Sequence, residues 1–367
     1  MCPPGSGRPK LEERVSGPAP ITPTHLALPR DLVERRLRRL FEDELTDWSG
    51  VSPALVDPIQ MLRTMTMVGG KRLRPALCYW AFIGAGGKPD DPGIMDAAAS
   101  LELFHVGTLI HDDIIDAAAA RRGQATAHIE FARRHRTNGW RGDPNEFGQS
   151  VAIVLGDLAF FCATRLLESA PLGARQMFHQ MASDVGKGQY LELVSTAARV
   201  RDPATSSLIA RYKAAKHSVE GPLHIGAALA GRPDLIAPLS RYALPMGEAF
   251  QITDDLLGVF GDPSVTRKPV GDDLRQGKPT LLLALASRRA GEATAELLRQ
   301  LENDGSAEEP VRQLINLLGE IGVDVDVRKV RDTLIAEAVD AVAQIDILDE
   351  ARDALIELAK YVSARRV

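Results

Sequence analysis

The chain has 367 residues, 45% of them hydrophobic and 25% charged, which is typical of a soluble globular protein. Its formal net charge of −5 excludes a general electrostatic attraction to nucleic acid. The three cysteines, Cys2, Cys78 and Cys162, are too scattered for a disulfide framework or a zinc site, so a reducing, cytoplasmic location is predicted.

Neither a membrane span nor a signal peptide is predicted. No apolar run approaches the roughly 18 residues that a spanning helix needs, and VAIVLGDLAFF is interrupted by Asp157. The first 24 residues contain six prolines and no apolar signal core. Residues 1–24 are therefore predicted to be a disordered, proline-rich tail, and residues 25–367 a single domain.

Helical periodicity dominates from residue 25 onward. In LVERRLRRLFEDEL, apolar residues recur near i, i+3, i+4 and i+7 spacing. A helix then begins at PALCYWAFIGAG, because Pro75 suits a first helical turn. Further helices are predicted over 93–118, 147–170, 172–198, 205–231, 236–260, 278–290, 308–322 and 326–365, with loops at 136–148 and 260–280. Strand-like alternation is scarce, so the fold class is predicted to be all-α with one large core.

The segment LIHDDIID, which ends the predicted helix 93–118, places three aspartates in a mostly apolar run. Residues i and i+4 share a helix face, so Asp112 and Asp116 point the same way, with Asp113 beside them. Carboxylates this close repel each other unless they share a proton, a basic partner or a divalent metal. A set of oxygen ligands suits Mg²⁺. The alternative is a solvated helix end with capping carboxylates.

A second acidic cluster favours the metal interpretation. FQITDDLLGVFGD carries Asp254 and Asp255 after another long apolar helix. Two acidic pairs at the ends of two helices could face each other across one cavity. Such an arrangement would hold several metal ions on a polyphosphate.

Cations stand beside glycine turns or acidic clusters, as an anionic substrate would require. GGKRLRP (69–75) supplies Lys71, Arg72 and Arg74 after two glycines, and glycine lets the backbone approach a phosphate closely. The other candidate cations are Arg121, Arg122, Lys213, Lys268 and Lys278. For each cation taken alone, a solvated surface charge is the alternative interpretation.

Taken in order, these motifs resemble those of the trans-isoprenyl diphosphate synthases, the polyprenyl synthetase family. The resemblance rests on GGKRLRP, LFHVGTLIHDDIIDAAAARRGQAT, GQYLEL, FQITDDLLGVFGD and KPVGDDLRQGKPT, and it extends from about residue 30 to the C-terminus. With its NGWRGDP loop and DDLLG motif, the chain is especially similar to the geranylgeranyl diphosphate synthases of actinobacteria.

The resemblance implies an antiparallel helical bundle around a deep central apolar cavity, in a homodimer. It also implies Mg²⁺-dependent head-to-tail prenyl transfer, with Mn²⁺ as an alternative ion. The double bond of isopentenyl diphosphate attacks the cation formed from an allylic diphosphate, which is dimethylallyl, geranyl or farnesyl diphosphate. Metals and basic groups would stabilise charge on the leaving diphosphate, and the apolar cavity would keep water from the cation.

The resemblance assigns roles to individual positions. The metal-binding residues would be Asp112, Asp113, Asp116, Asp254 and Asp255. The residues holding isopentenyl diphosphate would be Lys71, Arg74, His105 and Arg122. Those holding the allylic diphosphate would be Arg121, Lys213 and Lys268, and Lys278 is counted with the substrate-binding cations. Beside the developing cation would lie Gln189 and Gln251. The catalytic set would be the five aspartates with Lys213 and Gln251.

Three positions depart from the family pattern. Gly258 stands where many members have a third aspartate, so one metal contact would be absent or supplied by water. Ala214 stands where threonine is common, which removes a hydroxyl near the allylic site. Arg267 replaces a usual glycine before Lys268, which would make that loop stiffer or more basic.

Product length in similar enzymes is set on the helix below the first aspartate motif. Here Thr108 and Gly107 are small, and the first aromatic residue is Phe104, about one turn deeper. We therefore predict a geranylgeranyl-length product. Farnesyl, geranylfarnesyl or longer products are the alternatives.

Four other functions remain open at this stage. A terpene cyclase would need the metal clamp but not GGKRLRP and His105. A non-catalytic subunit of a heteromeric prenyl synthase would be compatible with the three departures. A metal-dependent phosphohydrolase could use His111 and Asp112 but leaves the paired aspartates without a role. A bundle serving only for protein interaction leaves both pairs unexplained.

Overall fold

The computed structural model describes residues 23–262, 270–304 and 307–364, and helices dominate these residues. Two short strands, β1 (Ala120–Arg121) and β2 (Gln124–Ala125), pair in antiparallel register. The all-α prediction is confirmed. The predicted tail lies outside the described residues as far as residue 22, and α1 begins at Thr24.

The α-helices of the described residues are, in chain order, α1 (Thr24–Val51), α2 (Val56–Met67), α3 (Leu73–Gly84), α4 (Pro92–Ile115), α5 (Ala127–Thr137), α6 (Pro144–Leu166), α7 (Leu172–Ala197), α8 (Pro203–Ile209), α9 (Gly221–Leu229), α10 (Ile236–Phe260), α11 (Asp272–Arg275), α12 (Leu281–Arg289), α13 (Gly291–Asn303), α14 (Glu308–Glu320), α15 (Val323–Ala343) and α16 (Asp349–Ala364). A π-helical segment, Ala210–Glu220, joins α8 to α9. Short 3₁₀ turns, Pro53–Leu55 and Pro233–Leu235, precede α2 and α10.

Two long helices organise the core. Helix α4 packs against α1, α3 and α6, while α10 packs against the π-helical segment and α15. Helix α4 is buried on nearly every side, and Leu101 and Leu103 are fully buried. Burial of one such leucine contributes about 1.5–3 kcal/mol relative to exposure. The apolar character of both helices therefore follows from their central position, and both acidic pairs lie near their C-terminal ends.

Several helix boundaries differ from the predicted ones. Helix α4 ends at Ile115 rather than at 118, because the next residues turn and Ala117 has a φ of +49°. The predicted loop 136–148 is too long, since α6 already begins at Pro144. The Asp143 side chain accepts hydrogen bonds from the Asn145 and Glu146 amides and so caps this helix.

The predicted helix 326–365 is two helices, α15 and α16. The break lies where Ile345 and Ile347 are buried and the Leu348 amide donates to the Gly84 carbonyl of α3. Core contacts therefore interrupt a pattern that looks continuous in sequence. Helices α2, α5 and α13 were not predicted, and the short helix α11 lies inside the predicted loop 260–280. The predicted helix 205–231 is divided by the π-helical segment.

Two helices among the described residues, α4 and α6, have the length and composition of a membrane span. Helix α4 is the buried centre of the core, and α6 packs against α4 and α5. Core packing accounts for the apolar character of α4 and for one face of α6. The opposite face of α6 exposes Ile153, Val154 and Phe161.

Candidate active site

A cavity of about 2160 Å³ opens between α3, α4, α7, the π-helical segment and α10. Small-molecule pockets are typically about 300–1,000 Å³, so this cavity has room for more than one substrate. The predicted site residues that line it are Lys71, Arg74, His105, Thr108, Asp112, Asp116, Arg121, Arg122, Gln189, Lys213, Gln251, Asp254, Asp255 and Lys278. Lys268 and Arg267 lie outside the described residues.

Lysine side chains bridge acidic residues from distant parts of the chain. Lys213 Nζ lies 3.3 Å from Asp112 Oδ1 and 2.6 Å from Glu192 Oε1. Lys278 Nζ lies 2.7 Å from Asp116 Oδ2 and 3.6 Å from Asp273 Oδ1. The α4 carboxylates therefore meet the π-helical segment on one side and the segment after α11 on the other.

A glycine sets the position of Lys213. In GQYLEL, a Cβ at Gly188 would lie 2.3 Å from the Lys213 backbone nitrogen, which is closer than atoms can approach. Only glycine lets α7 and the π-helical segment come this near. The close approach brings Lys213 within hydrogen-bonding distance of Glu192, one turn further along α7.

The first aspartate motif divides into two kinds of carboxylate. Burial by itself would raise the pKa of Asp112, but Lys213, Lys278 and Arg121 together hold that pKa below its ordinary value. Asp113 is buried, and Arg121 Nε donates to its Oδ1 over 2.7 Å. Its pKa is raised by burial. Asp113 is not among the residues lining the cavity, whereas Arg121 is. Asp113 therefore orients Arg121 from outside the cavity lining.

The second aspartate motif faces the same cavity. Gln251 Nε2 donates to Asp255 Oδ1 over 2.7 Å, within the last turns of α10. Burial, together with the charges of Asp273 and Asp254, raises the pKa of Asp255 to about 8. Burial is the main cause of this shift, and the like charges around the cavity add to it.

Glu192 and Asp273 are among the further carboxylates that line the cavity and that the sequence did not indicate. Their segments, GQYLEL and VGDDLRQGKPT, were recognised, but these residues were not singled out. Asp273 also occupies the space that Gly258 leaves. A Cβ at Gly258 would lie 3.3 Å from Asp273 Oδ2, and the Gly258 carbonyl accepts from the Gly271 amide over 2.9 Å.

The carboxylate oxygens around the cavity suit a divalent metal ion that binds together with a substrate. Among the described residues, no group of three or more histidine, cysteine, aspartate or glutamate side chains forms a metal site by itself. Mg²⁺ is commonly bound by one or two carboxylates together with substrate phosphates. The oxygen-only donors Asp112, Asp116, Asp254 and Asp255 around one cavity match that mode of binding.

Another part of the cavity lining is basic. Arg74 Nη2 donates to Ser218 Oγ over 2.7 Å, and Arg122 Nη1 donates to the Val68 carbonyl over 3.1 Å. Burial lowers the pKa of Arg74 to about 10, which leaves it cationic at neutral pH. Lys71 Nζ lies over the Tyr361 ring, 4.8 Å from its centroid.

His105 contributes an uncharged imidazole to this basic part of the cavity. Burial, with Arg74 nearby, lowers the pKa of His105 well below its ordinary value. Its Nδ1 is buried and has no hydrogen-bond partner among the described residues. An acceptor-rich ligand such as a diphosphate would satisfy the donors gathered here.

An aromatic cluster is centred on Phe104, the residue before His105. The Phe104 ring centroid is 5.1 Å from that of Phe160, 5.3 Å from that of Phe178 and 5.5 Å from that of His217. Neither Phe104 nor Gly107 is among the residues lining the cavity, whereas Thr108 is. A Cβ at Gly107 would lie 2.6 Å from Phe160 Cε1, so Gly107 faces α6 and admits the Phe160 ring.

The chain matches the family model described as "Polyprenyl synthetase" over residues 58–318. It is 31% identical to the geranylfarnesyl diphosphate synthase of Aeropyrum pernix, over 69% of this chain and 76% of that protein. It is 28% identical to the octaprenyl diphosphate synthase of Escherichia coli, over 90% of this chain and 99% of that protein. The named products of these two relatives differ in length.

A solved structure is similar over nearly the whole chain. The geranylgeranyl pyrophosphate synthase of Corynebacterium glutamicum, complexed with isoprenyl diphosphate and magnesium, superposes with a TM-score of 0.86 at 34% identity. The match covers 92% of this chain and 98% of that one.

Proposed function

The chain belongs to the polyprenyl synthetase family and is a prenyltransferase, and from this premise we propose the reaction it performs. It condenses isopentenyl diphosphate with an allylic diphosphate, head to tail, to give an all-trans polyprenyl diphosphate. One observation carries the proposal: both acidic pairs and the basic residues line a single cavity, and the aromatic cluster contacts the cavity lining through His217.

The acidic part of the cavity binds the allylic diphosphate. When the carbon–oxygen bond of this substrate breaks, negative charge develops on the leaving diphosphate. Lys213, Arg121 and Lys278 are fixed beside that position by the aspartates they contact, so they stabilise the charge without rearranging. Mg²⁺, or Mn²⁺ in its place, would be held by Asp112, Asp116, Asp254 and Asp255 and would supply Lewis-acid stabilisation there.

The basic part of the cavity binds isopentenyl diphosphate. Lys71, Arg74 and Arg122 provide the charge for its diphosphate, and His105 adds a neutral donor. When isopentenyl diphosphate is held in this way, its double bond attacks the allylic carbon. A carbon–carbon bond forms and one proton is lost. The surrounding helices exclude water that would otherwise capture the cation.

The product is proposed to be geranylgeranyl diphosphate, with the aromatic cluster as the floor that stops the growing chain. Phe104 contacts Phe160, Phe178 and His217, and His217 lines the cavity, so the cluster lies directly beyond the cavity lining. Replacing Phe104 with alanine removes the central ring, so we expect products longer by one or more isoprene units. Mass spectrometry of the extracted products measures this.

The matched control for this change is Phe131→Ala. Phe131 is a buried phenylalanine of α5 outside the aromatic cluster, so its removal destabilises the fold by a comparable mechanism. Its product length should remain that of the wild type. An active Phe104→Ala enzyme with an unchanged product distribution would contradict the proposal that the aromatic cluster stops the growing chain.

A homodimer is proposed to form through the exposed face of α6. Ile153, Val154 and Phe161 project from this face, and Phe161 is 69% exposed. Contiguous exposed apolar surface of this kind marks interaction sites. Replacing Phe161 with aspartate places a charge in the interface, so the chain should elute as a monomer in size exclusion with light scattering.

The control for the dimer is Val325→Asp, which changes an exposed valine at the start of α15 and should leave the dimer intact. Retention of the dimer by Phe161→Asp would rule out this face as the interface.

A cytoplasmic location is also proposed, because Cys78 and Cys162 are buried free thiols.

The proposed function is tested by incubating the purified chain with isopentenyl diphosphate, Mg²⁺ and, in separate reactions, dimethylallyl, geranyl or farnesyl diphosphate. We expect geranylgeranyl diphosphate in mass spectra, loss of turnover on chelation, and recovery with Mg²⁺ or Mn²⁺. Absence of turnover by a folded chain would instead support a non-catalytic partner subunit. A cyclised hydrocarbon, formed without isopentenyl diphosphate, would indicate a terpene cyclase.

A further inference from the structure

His217 stands where the basic part of the cavity meets the aromatic cluster. It belongs to the π-helical segment, lines the cavity and is only 5% exposed. Its ring centroid lies 5.5 Å from that of Phe104 and 5.4 Å from that of His105. It therefore touches both the floor and the group that holds isopentenyl diphosphate, although no role was assigned to it from the sequence.

The imidazole of His217 has unused hydrogen-bonding capacity. Its Nε2 is buried and finds no hydrogen-bond partner in the described parts of the chain. A buried polar atom left in this way costs free energy, and native proteins rarely leave one without a reason. Burial and the charge of Arg74 lower the pKa of His217 well below its ordinary value, so the ring is neutral with one N–H.

The neighbouring groups indicate which kind of ligand satisfies this atom. Arg74 Nε, which can only donate, is likewise buried without a partner in the described chain, as is His105 Nδ1. The adjacent Ser218 accepts from Arg74 Nη2, which fixes the guanidinium beside the π-helical segment. A ligand group with many acceptors and no donor, such as a diphosphate, would pair with all three atoms.

We propose that His217 is a further substrate-binding residue, whose Nε2–H donates a hydrogen bond to the diphosphate of isopentenyl diphosphate. The assignment rests on the proposed function, because that substrate is the ligand. A neutral donor holds the anion without placing another positive charge near the allylic cation. The ring also closes the binding site against Phe104, and π-helical turns of this kind recur at functional sites.

The test compares two replacements that separate the nitrogen from the ring. His217→Phe keeps the aromatic contact with Phe104 and loses Nε2, whereas His217→Gln loses the ring and presents an amide donor near the same position. A hydrogen bond to a charged group accounts for about tenfold or more in affinity. Binding of isopentenyl diphosphate alone, by calorimetry, should weaken by that factor in His217→Phe and stay within about threefold in His217→Gln.

Kinetics give a second readout on the same variants. The KM for isopentenyl diphosphate should rise in His217→Phe, while the KM for the allylic substrate should not change. His179→Phe, an exposed histidine on α7, is the control and should behave as the wild type. Should His217→Phe not fold, His217→Leu removes the same nitrogen with a smaller side chain.

Each outcome separates this inference from the proposed function. A wild-type chain that neither binds nor consumes isopentenyl diphosphate contradicts the proposed function itself. A wild-type chain that does both, with unchanged binding in His217→Phe, overturns only the role of His217. Loss of binding in His217→Gln but not in His217→Phe would show that the ring serves packing, which also overturns it.

Discussion

Replacing Asp116 with asparagine should lower kcat by about 10²- to 10³-fold. Asp116 lines the cavity, and its Oδ2 accepts from Lys278 Nζ over 2.7 Å. Asparagine keeps the shape of the side chain and a hydrogen-bond acceptor, but it removes the negative charge that contacts Lys278 and that would bind the metal in the proposed function. The loss therefore falls on stabilisation of the leaving diphosphate rather than on the fold.

The measurement is steady-state turnover at saturating substrates and Mg²⁺, with thermal unfolding recorded beside it. Asp332→Asn is the matched control, because Asp332 is 60% exposed and pairs only with its neighbour Arg331 in the described structure. Solvent screens the exposed Asp332 carboxylate, so its pair contributes little and the control should retain activity and stability. An Asp116→Asn enzyme with kcat within about threefold of the wild type would contradict the assignment.

Replacing Arg72 with methionine should lower the free energy of unfolding by about 3 kcal/mol. The Arg72 side chain is 1% exposed and pairs with Glu102, which is 5% exposed, over 2.6 Å. It also donates to the Thr66 carbonyl over 2.8 Å. Loss of the guanidinium leaves the Glu102 carboxylate buried without its closest cation. The expected value is at the lower end of the range for broken buried pairs, because Arg74 and Arg122 remain near Glu102.

Urea denaturation of the two proteins measures this difference. Arg72 has a φ of +55°, but methionine carries the same Cβ, so backbone strain does not distinguish the variant. Arg38→Met provides the control, since Arg38 is exposed and its pair with Glu34 spans 3.4 Å. Adding Glu102→Gln to Arg72→Met should recover part of the lost stability. Equal stability of Arg72→Met and the wild type would refute the buried-pair account.

Local patterns in the sequence were sufficient to predict most helices and the positions of both aspartate motifs. Helix α10, for example, has the predicted bounds, because its apolar periodicity is uninterrupted. The start of α6 was missed although Asp143 and Pro144 form a helix-start signal, since the preceding residues are typical of a loop. The break between α15 and α16 depends on contacts with α3, which no local pattern records.

Spacing on one helix also predicted that Asp112 and Asp116 point together, and both line the cavity. Asp113 was predicted to lie beside them, but it does not line the cavity and contacts Arg121 instead. Which cations meet the aspartates could not be predicted from spacing, because Lys213 is 101 positions from Asp112 and Lys278 is 162 positions from Asp116.

The proposed floor of the cavity shows the same limit. Gly107 was predicted to leave room for the growing chain, but its small size serves the packing of α6. Phe160 fills the space beside Gly107, and Phe178 and His217 complete the cluster around Phe104. These rings come from four different segments, so only the tertiary structure brings them together.

A crystal structure of the chain with Mg²⁺, isopentenyl diphosphate and an unreactive allylic thiolodiphosphate would test the shared cavity most directly. We expect the allylic diphosphate beside Asp112, Asp116 and Lys213, with its hydrocarbon tail directed towards Phe104. We expect isopentenyl diphosphate beside Arg74 and His105. Isopentenyl diphosphate bound outside this cavity, or both diphosphates bound in the acidic part alone, would contradict the account.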